Sequence, residues 1–220
     1  MISVIIPTWN AARVLPRCFE SLISGVVGGL VRDVIVADGG SDDDTLAIAD
    51  AAGAHVVKAG RSRGARMASG ASSARGDWLL FLYPETALES GWEKEAEDFL
   101  DRVTLERPRA ATFRYALDGF GVDTRRRENV ARLRAAIFGL PYGDQGLLLP
   151  KRFYRALGGH SVAPMEDVDL IRRIGRGRLI ALRSRAINKE EDEPGLRRSA
   201  LLAALHAVRM PRALVSFIGE

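Results

Sequence analysis

Small polar residues follow two apolar runs near the start of this 220-residue sequence, and their types suit a phosphate-bearing ligand. Residues 7–10 (PTWN) follow the first run, and the acidic turn 38–45 (DGGSDDDT) begins at the end of the second. Asp38 can accept hydrogen bonds from a ribose or a base, while the two glycines after it let backbone N–H groups approach a phosphate. A turn in which Ser41 or Asp42 caps the next helix explains the same residues without a ligand. The turn alone therefore favours the helix cap.

A second candidate anion site lies in the arginine-rich loop 58–66 (KAGRSRGAR). The loop leads from a predicted strand into a predicted helix, so its arginines stand around a helix N-terminus. Backbone N–H groups and guanidinium groups can hold an anion together at such a place. A solvated run of charge is the alternative. Basic residues are electrostatically unfavourable at that end of a helix, however, and this misfit favours a bound anion.

Carboxylates occur at two further places where they could do chemistry. Glu85 follows the most apolar predicted strand, residues 78–83, and could either cap the next helix or coordinate Mg²⁺ or Mn²⁺ bridging two phosphates. Glu166, Asp167 and Asp169 begin a predicted helix after a glycine-containing loop. One of them could act as a general base that removes a proton from a hydroxyl group. Acids at a helix N-terminus are also favourable without any function.

The elements that must position these residues alternate between strand and helix. In the first 85 residues, short apolar runs predict strands and amphipathic runs predict helices, in three strand–helix pairs and a further strand. Such alternation indicates βαβ units and an α/β fold with a mostly parallel, doubly wound sheet, in which ligands bind beyond the carboxyl ends of the strands. The predicted strands are residues 3–7, 33–38, 55–58 and 78–83, and the predicted helices are residues 11–24, 43–52 and 63–74.

The second half of the sequence is less regular. Helices are predicted at residues 87–103, 125–138 and 166–174, and strands at residues 110–117, 146–149 and 178–183. The change of rhythm after Tyr83 indicates one domain with a nucleotide-binding half, residues 1–86, and an acceptor-binding half, residues 87–190. A basic amphipathic segment at residues 194–218 could touch an anionic membrane, the core or a second subunit. Peripheral membrane contact and a homodimer are therefore both left open.

Composition restricts the class of protein. With 47% hydrophobic and 27% charged residues, the chain is expected to be globular rather than disordered. Its net charge of +4, carried mostly by arginine, suits phosphate groups, but no motif supports nucleic-acid binding. The single cysteine, Cys18, excludes an intramolecular disulfide and a cysteine-rich zinc site. Because no signal peptide or membrane-spanning segment is visible, we expect a cytoplasmic protein.

Taken in order, these motifs resemble glycosyltransferase family 2, whose members have the Rossmann-like GT-A fold of nucleotide-diphosphosugar transferases. Residues 4–10 (VIIPTWN) are similar to the family's first strand, and residues 36–45 (VADGGSDDDT) are similar to its V-D-G-x-S-x-D-x-T segment. Residues 63–82 look closest to a bacterial subgroup associated with radical-SAM and selenium proteins. The likeness continues, in the same order, at residues 142–146, 158–159 and 165–170. It covers residues 3–174.

The resemblance implies an inverting transfer of a sugar from a nucleotide diphosphate sugar to an acceptor hydroxyl. It also implies a divalent cation, Mn²⁺ or Mg²⁺, but the family's usual Asp-x-Asp motif reads Tyr83-Pro84-Glu85 here. Only Glu85 is carried over as a metal ligand, and Asp167 is carried over as the base, with Glu166 as the alternative. The candidate donor-binding residues are Pro7, Thr8, Asn10, Asp38, Gly39, Ser41, Arg63 and Arg66. The candidate acceptor-side residues are Asp144, Gln145 and Gly159.

Two other functions compete with this prediction. A non-catalytic relative that binds a nucleotide or a protein partner would explain the altered metal motif. A nucleotidyltransferase has a similar topology, but that class carries a G-x-G-T-R type of loop after the first strand, whereas residues 7–10 read PTWN. An NTPase is disfavoured because the sequence has no GKS or GKT loop.

Overall fold

One eight-stranded sheet forms the centre of the computed structural model, which describes residues 1–104, 106–119 and 143–189. Its strands are β1 (Ile2–Thr8), β2 (Val31–Asp38), β3 (His55–Lys58), β4 (Trp78–Phe81), β5 (Thr86–Leu88), β6 (Ala110–Asp118), β7 (Leu147–Pro150) and β8 (Leu179–Lys189). The described helices are α1 (Leu15–Val27), α2 (Thr45–Ala51), α3 (Arg63–Ser73), α4 (Trp92–Arg102), α5 (Lys151–Ala156) and α6 (Glu166–Ile174). Short 3-10 turns lie at Gly143–Gln145 and Arg176–Arg178.

The order of the strands across the sheet is β3-β2-β1-β4-β7-β6-β8-β5. The first four strands along the chain are parallel to one another, with Ile5 of β1 opposite both Ile35 of β2 and Phe81 of β4. β7 runs antiparallel to both of its neighbours, β8 is parallel to β6, and β5 lies antiparallel to β8 at the edge. The predicted α/β fold with a mostly parallel sheet is confirmed.

β1 lies inside the sheet because its sequence is apolar without alternation, as expected of a strand covered on both faces. All seven of its residues are buried. Val4 and Ile6 pack in the core on one face, and Ile5 packs in the core on the other. Pro7 pairs with Ala37 of β2, whereas β4 pairs with β1 only as far as Ile5. Proline has no N–H to donate, but β4 no longer pairs with β1 at this position, so no hydrogen bond between the two strands is lost.

Helices cover both faces of the sheet, as predicted. α1 and α4 pack on one face through residues such as Leu22 and Trp92. α3, α5 and α6 pack on the other face, where Met67, Phe153 and Ile171 belong to one core. Within the described ranges, no helix combines the length and the apolar character that a membrane span requires.

The predicted helix at residues 87–103 is wrong in its first part. Thr86–Leu88 forms β5 and pairs with β8, and α4 starts only after Gly91, which adopts a left-handed conformation with φ of 87°. The Thr86 hydroxyl donates to the side-chain oxygen of Asn188 over 2.6 Å. A contact that is distant in sequence therefore decides the local structure, which propensity could not show.

β8 is also longer than the predicted strand at residues 178–183. The carboxylate of Glu95 on α4 accepts the backbone N–H groups of Arg183 and Ser184 over 2.7 Å each, and this contact holds the strand against the helix. α5 was not predicted, because six residues give too short a periodic signal. The predicted helix at residues 125–138 and the basic segment at residues 194–218 lie outside the described residues.

Candidate active site

The predicted donor-binding and catalytic residues meet at one edge of the sheet. Thr8 and Asp38, the last residues of β1 and β2, lie opposite each other in register. Tyr83 and Glu85 follow the carboxyl end of β4. Because β7 runs antiparallel to β4, the turn Gly143–Gln145 that precedes it lies at the same edge. This is the edge at which open α/β sheets bind their ligands.

The Asp38 carboxylate organises the acidic turn. The hydroxyl groups of Thr8 and Ser41 donate to its Oδ1 over 2.9 and 2.5 Å, and the N–H groups of Gly40 and Ser41 donate to its Oδ2 over 2.8 Å each. Burial acts to raise the pKa of Asp38, but these hydrogen bonds outweigh it and hold the pKa below its usual value. Ionised Asp38 therefore holds the turn in one shape. Its contact with a ribose or base stays a prediction.

Asn10 joins the loop after β1 to the acidic turn. Its N–H donates to the Ser41 hydroxyl over 2.9 Å, and its side-chain Oδ1 accepts the N–H of Asp42 over 3.0 Å. Asn10 has a φ of 52°, a left-handed conformation that asparagine adopts more readily than most residues. The two predicted donor-binding loops therefore form one hydrogen-bonded unit.

The interpretation of Ser41 or Asp42 as the cap of α2 is wrong. The helix begins at Thr45 without a side-chain cap hydrogen bond, and Asp43 accepts the N–H of Thr45 over 3.0 Å. The side chain of Ser41 bonds instead within the turn and to the loop after β1. The shape of the acidic turn is thus not explained by helix capping.

Arg63 lies on the aromatic face of Tyr83. Its guanidinium carbon is 4.6 Å from the ring centroid, and its Nη1 donates to the phenol oxygen over 3.1 Å. Arg63 is the first residue of α3, directly after the N-cap residue Ser62, whose hydroxyl accepts the N–H of Ala65 over 3.2 Å. The strand end, the helix start and the stacking contact together fix the position of this positive charge.

Arg66 is buried beside the acidic turn. It is only 7% exposed, its Nη1 donates to the carbonyl of Arg61 over 2.9 Å, and a Cβ atom on Gly39 would lie 2.6 Å from that nitrogen. Within the described ranges its Nε has no hydrogen-bond partner. Burial, and then the charge of Arg63, lower the pKa of Arg66. The two guanidinium groups therefore create a positive potential that an anion would relieve.

Tyr83, at the first position of the altered metal motif, is a buried hydrogen-bond donor. Its hydroxyl donates to Oδ2 of Asp167 while its oxygen accepts from Arg63. Burial, and then the charge of Asp167, raise the pKa of Tyr83 well above its usual value. The phenol is therefore neutral at physiological pH, and its oxygen is engaged with protein groups.

His160 continues this network on the other side of Asp167. Its Nε2 faces Oδ1 of Asp167 at 3.3 Å, and its Nδ1 lies 3.1 Å from the hydroxyl of Tyr154. The same hydroxyl accepts the backbone N–H of His160 over 2.9 Å, so it can donate to Nδ1 when the imidazole carries its proton on Nε2. Sequence reasoning missed both His160 and Tyr154. The position of His160, shortly before the acidic helix start, is the one local signal that could have indicated it.

The two candidate bases have opposite environments. Burial acts to raise the pKa of Asp167, but the nearby His160 at 3.3 Å, the hydrogen bond from Tyr83 and the charge of Arg63 outweigh it and lower the pKa. For Glu166, burial and then the charge of Asp167 raise the pKa, although Arg63 lies 4.0 Å away and opposes this. Burial has the larger effect, because the Glu166 side chain is only 10% exposed and 4.0 Å is a long distance for an ion pair. A pair of carboxylates with divided pKa values is typical of acid–base sites.

The raised pKa of Glu166 predicts a stability effect with a definite sign. A carboxyl group whose pKa is raised by folding stabilises the fold only while it is protonated, so its contribution is lost as the pH rises through the raised pKa. We expect Glu166→Gln to have a higher Tm than the wild type at pH 7, and a difference that shrinks near pH 4, about the ordinary pKa of glutamate. Thermal unfolding across this pH range measures the effect.

Glu95→Gln is the matched control for the Glu166 prediction. Although burial opposes the shift, backbone and side-chain hydrogen bonds from Arg183 and Ser184 lower the pKa of Glu95. Its ionised form therefore stabilises the fold, and Glu95→Gln should lower the Tm at pH 7. A Glu166→Gln protein that loses stability at pH 7, as Glu95→Gln should, would contradict the assignment.

The residues at the altered metal motif do not fit a divalent cation site. Mn²⁺ and Mg²⁺ take oxygen ligands, above all carboxylates, whereas Tyr83 offers a neutral, engaged phenol. The half-buried Glu85 lies on the side of α1, where its charge adds to burial in raising the pKa of the Cys18 thiol. Across residues 1–104, 106–119 and 143–189, no group of three or more His, Cys, Asp or Glu side chains could hold a metal. The role of Glu85 as a metal ligand stays a prediction.

The predicted acceptor-side residues fall into two places. Gln145 is buried in the turn before β7, and the carbonyl of Asp144 accepts the side-chain N–H of Asn188 over 3.0 Å. Gly159 instead lies against the ring of Tyr154, whose hydroxyl contacts His160. It has a φ of 69°, and a Cβ atom there would lie 3.1 Å from the ring of Tyr154. Gly159 thus supports the contact between Tyr154 and His160. Asp144 and Gln145 instead lie near Asn188 at the carboxyl end of β8.

A cleft of about 510 Å³ also exists at the opposite edge of the sheet. Its lining residues include Arg75, Trp78 and Lys151. Trp78 begins β4, whereas the Tyr83 network lies beyond the end of that strand. Because the candidate donor-binding and acidic residues lie at the carboxyl ends of β1, β2 and β4, we place the active site there and not in this cleft.

Comparison with known proteins gives a family match for the first part of the chain. Residues 3–83 match the model of glycosyl transferase family 2. The chain is 36% identical over 95 residues to a PGL/p-HBAD biosynthesis glycosyltransferase of Mycobacterium bovis, an alignment covering 40% of this chain and 36% of the relative. The chain thus spans only about a third of the length of the curated relatives it matches.

Solved structures show the same fold over almost the whole chain. Glucosyl-3-phosphoglycerate synthase from Mycobacterium tuberculosis, in complex with Mn²⁺ and UDP-glucose, has a TM-score of 0.65 at 20% identity, covering 96% of this chain and 80% of that one. The same enzyme with Mn²⁺, UDP and glucosyl-3-phosphoglycerate has a TM-score of 0.63 at 22% identity, covering 96% and 81%. Both of those structures contain Mn²⁺. These likenesses show the GT-A fold, and the family match covers residues 3–83.

Proposed function

We propose that this chain is a family 2 glycosyltransferase and that it transfers a sugar with inversion from a nucleotide diphosphate sugar to an acceptor hydroxyl. One observation carries the proposal. The acidic turn ordered by Asp38, the guanidinium groups of Arg63 and Arg66, and the carboxylates of Glu166 and Asp167 meet at one edge of the sheet. Groups for a nucleotide, a diphosphate and a hydroxyl proton are thus close together.

In the proposed reaction, the acceptor oxygen attacks the anomeric carbon while its proton passes to a carboxylate. The bond from that carbon to the diphosphate breaks, and its electron pair leaves with the nucleotide diphosphate. A single displacement of this kind inverts the anomeric centre. Asp167 is our leading base because its lowered pKa keeps it ionised and His160 and Tyr83 orient it. Glu166 is the alternative, because its raised pKa lies nearer neutral pH.

The proposed donor is a nucleotide diphosphate sugar, and the acceptor is an unidentified hydroxyl compound. The M. tuberculosis structures hold UDP-glucose in one case and glucosyl-3-phosphoglycerate in the other, which supports a donor of this class. Several predictions from the sequence stay predictions: a bound Mn²⁺ or Mg²⁺, a cytoplasmic location, membrane contact through residues 194–218 and a homodimer.

Release of UDP or GDP from UDP-glucose and GDP-mannose tests the proposal on the full chain. Turnover above a protein-free control is expected with the matching donor, because water can replace the acceptor at a slow rate. Calorimetry with UDP and GDP completes the test. Tight nucleotide binding without release from any donor, even after acceptors are screened, would favour the non-catalytic relative instead.

Asp38→Ala should weaken donor binding and the fold together. The substitution removes an acceptor for four hydrogen bonds and leaves Thr8 and the amide of Gly40 without their partner. We expect a loss of about 1–3 kcal/mol in the free energy of unfolding and a rise of about tenfold in the Kd for the preferred nucleotide. Asp42→Ala, at an exposed position in the same turn, is the control and should change neither value. Equal Kd values for both variants would contradict the role of Asp38.

A further inference from the structure

Arg63 holds a positive charge beside the first position of the altered metal motif. Its guanidinium group lies over the ring of Tyr83, the residue that stands at the first position of the altered motif. The side chain of Arg63 is still 49% exposed, so one face of the guanidinium group rests on the ring while much of the group can contact a ligand. The contact with Tyr83 orders the side chain before any ligand binds.

Among the residues the structure describes, the hydrogen bonds of the two guanidinium groups go to the Tyr83 hydroxyl and the Arg61 carbonyl and not to a carboxylate. Glu166 lies 4.0 Å from Arg63, which is the limit of an ion pair, and its burial disfavours ionisation. Asp167 is held by Tyr83 and His160. Arg66, more than nine-tenths buried, keeps an Nε without a partner among the residues the structure describes. The protein therefore leaves one N–H of this buried guanidinium group without a hydrogen bond.

A diphosphate fits this arrangement better than a single small anion does. Arg63 reaches the site from α3 and Tyr83, and Arg66 reaches it from beneath the acidic turn, where its Nη1 lies against Gly39. Gly40 follows in that turn at a φ of 100° with open space around its α-carbon, which allows close approach of a ligand to the backbone. Two guanidinium groups, one of which lies against this turn, suit two linked phosphates.

We propose that Arg63, held in place by Tyr83, neutralises the negative charge of the donor diphosphate in this chain, so that donor binding needs no divalent cation. This inference rests on the proposed function. When the bond between the anomeric carbon and the diphosphate breaks, its electron pair goes to a phosphate oxygen, and the planar guanidinium group of Arg63 stabilises the added charge. Tyr83 acts as a positioning residue, because it supplies the ring face and the hydrogen bond that hold Arg63.

Calorimetric titration of the full chain with UDP and GDP tests the inference, because it measures binding without turnover. In EDTA, the wild type should bind one of them with a Kd within about twofold of its value in Mn²⁺. Arg63→Ala should raise the Kd in EDTA about tenfold or more, since it removes charge-assisted hydrogen bonds. Arg63→Lys keeps the positive charge but lacks the planar guanidinium group, so its Kd in EDTA should lie between those of the wild type and Arg63→Ala. Arg75→Ala, exposed at the opposite edge, is the control and should bind as the wild type does.

A second variant pair tests whether the arginine replaces a metal. Tyr83→Asp combined with Arg63→Ala restores a carboxylate at the first motif position, and this protein should bind the nucleotide only when Mn²⁺ is present. Thermal unfolding checks that each variant is folded. Binding by the wild type that requires Mn²⁺ would overturn the inference and leave the proposed function intact. If the wild type binds neither UDP nor GDP in either buffer, both the inference and the proposed function are overturned. If Mn²⁺ does not change nucleotide binding by the double variant, the idea that Arg63 replaces a metal ion is overturned.

Discussion

Asp167→Asn should reduce sugar transfer by about 10²–10⁴-fold, the usual contribution of a positioned general base, while the Kd for UDP or GDP stays near the wild-type value. Asparagine has nearly the same shape and can still accept from Tyr83 and face His160, so the site should remain folded. It cannot take a proton from the acceptor. The measurement is the initial rate of transfer from the preferred nucleotide sugar, beside calorimetry on the same protein.

Two further variants decide between the candidate bases. Asp169→Asn changes an acid on the same helix that pairs with Arg173 over 2.8 Å, and it should leave transfer unchanged. Glu166→Gln should slow transfer much less than Asp167→Asn. If the order is reversed, Glu166 is the base and Asp167 a positioning residue. Wild-type activity in Asp167→Asn would remove the assignment altogether.

The pH profile gives an independent check on the same assignment. Because the pKa of Asp167 is lowered, a base at this position stays ionised as the pH falls from 8 to 6. The rate of sugar transfer should then be constant over that range. Because the pKa of Glu166 is raised, a base there would be protonated at a higher pH, and the rate would fall earlier. The wild-type rate at saturating donor concentration therefore reports which carboxylate takes the proton.

Gly64→Ala should destabilise the fold by roughly 3 kcal/mol or more, at the upper end of overpacking effects. An added Cβ would lie 1.8 Å from the carbonyl oxygen of Ser161 and 3.3 Å from Cβ of Glu166. The first contact is with backbone, so no side-chain rotation can relieve it. Either α3 or the loop before α6 must move. For a chain of this size, we expect the Tm to fall by roughly 6–12 °C.

Gly177→Ala is the control for this substitution, since a Cβ at Gly177 would have no atom within 4 Å. It should change the Tm by no more than about 2 °C, as surface substitutions usually do. Gly64→Ala should also weaken nucleotide binding, because Arg63 is the adjacent residue. An unchanged Tm together with wild-type nucleotide binding would show that the α3 start and the Ser161 loop are not packed as closely as described.

Much of the parallel half of the sheet could be predicted from the sequence, because its signals are local. The bounds predicted for β3 and α6 are those observed, and the ends of β1, β2 and α3 differ by one or two residues. Apolar runs buried on both faces and a helix start marked by Ser62 need no tertiary information. β5 could not be predicted, because three residues form a strand only when β8 lies beside them.

The site was harder to predict than the fold. The sequence predicted Asp38, Arg63 and Asp167 as candidates, but not that Tyr83 connects two of them. Sequence comparison presents Tyr83 only as the loss of an acid. The approach of α3 and α6 at the end of β4 gives the tyrosine its partners, and no local pattern encodes that approach. His160 was missed for the same reason, since its contact with Asp167 depends on how the loop before α6 folds.

The hydrogen bonds that join Asn10 to the acidic turn affect the entropy of ligand binding. Loops that become ordered only around a ligand lose conformational freedom at that moment, which weakens affinity. Here Asn10, Ser41 and Asp38 hold the loops after β1 and β2 in one conformation without a ligand. A nucleotide that binds at this edge therefore has little ordering to impose on them. Its affinity should depend mainly on the contacts it makes.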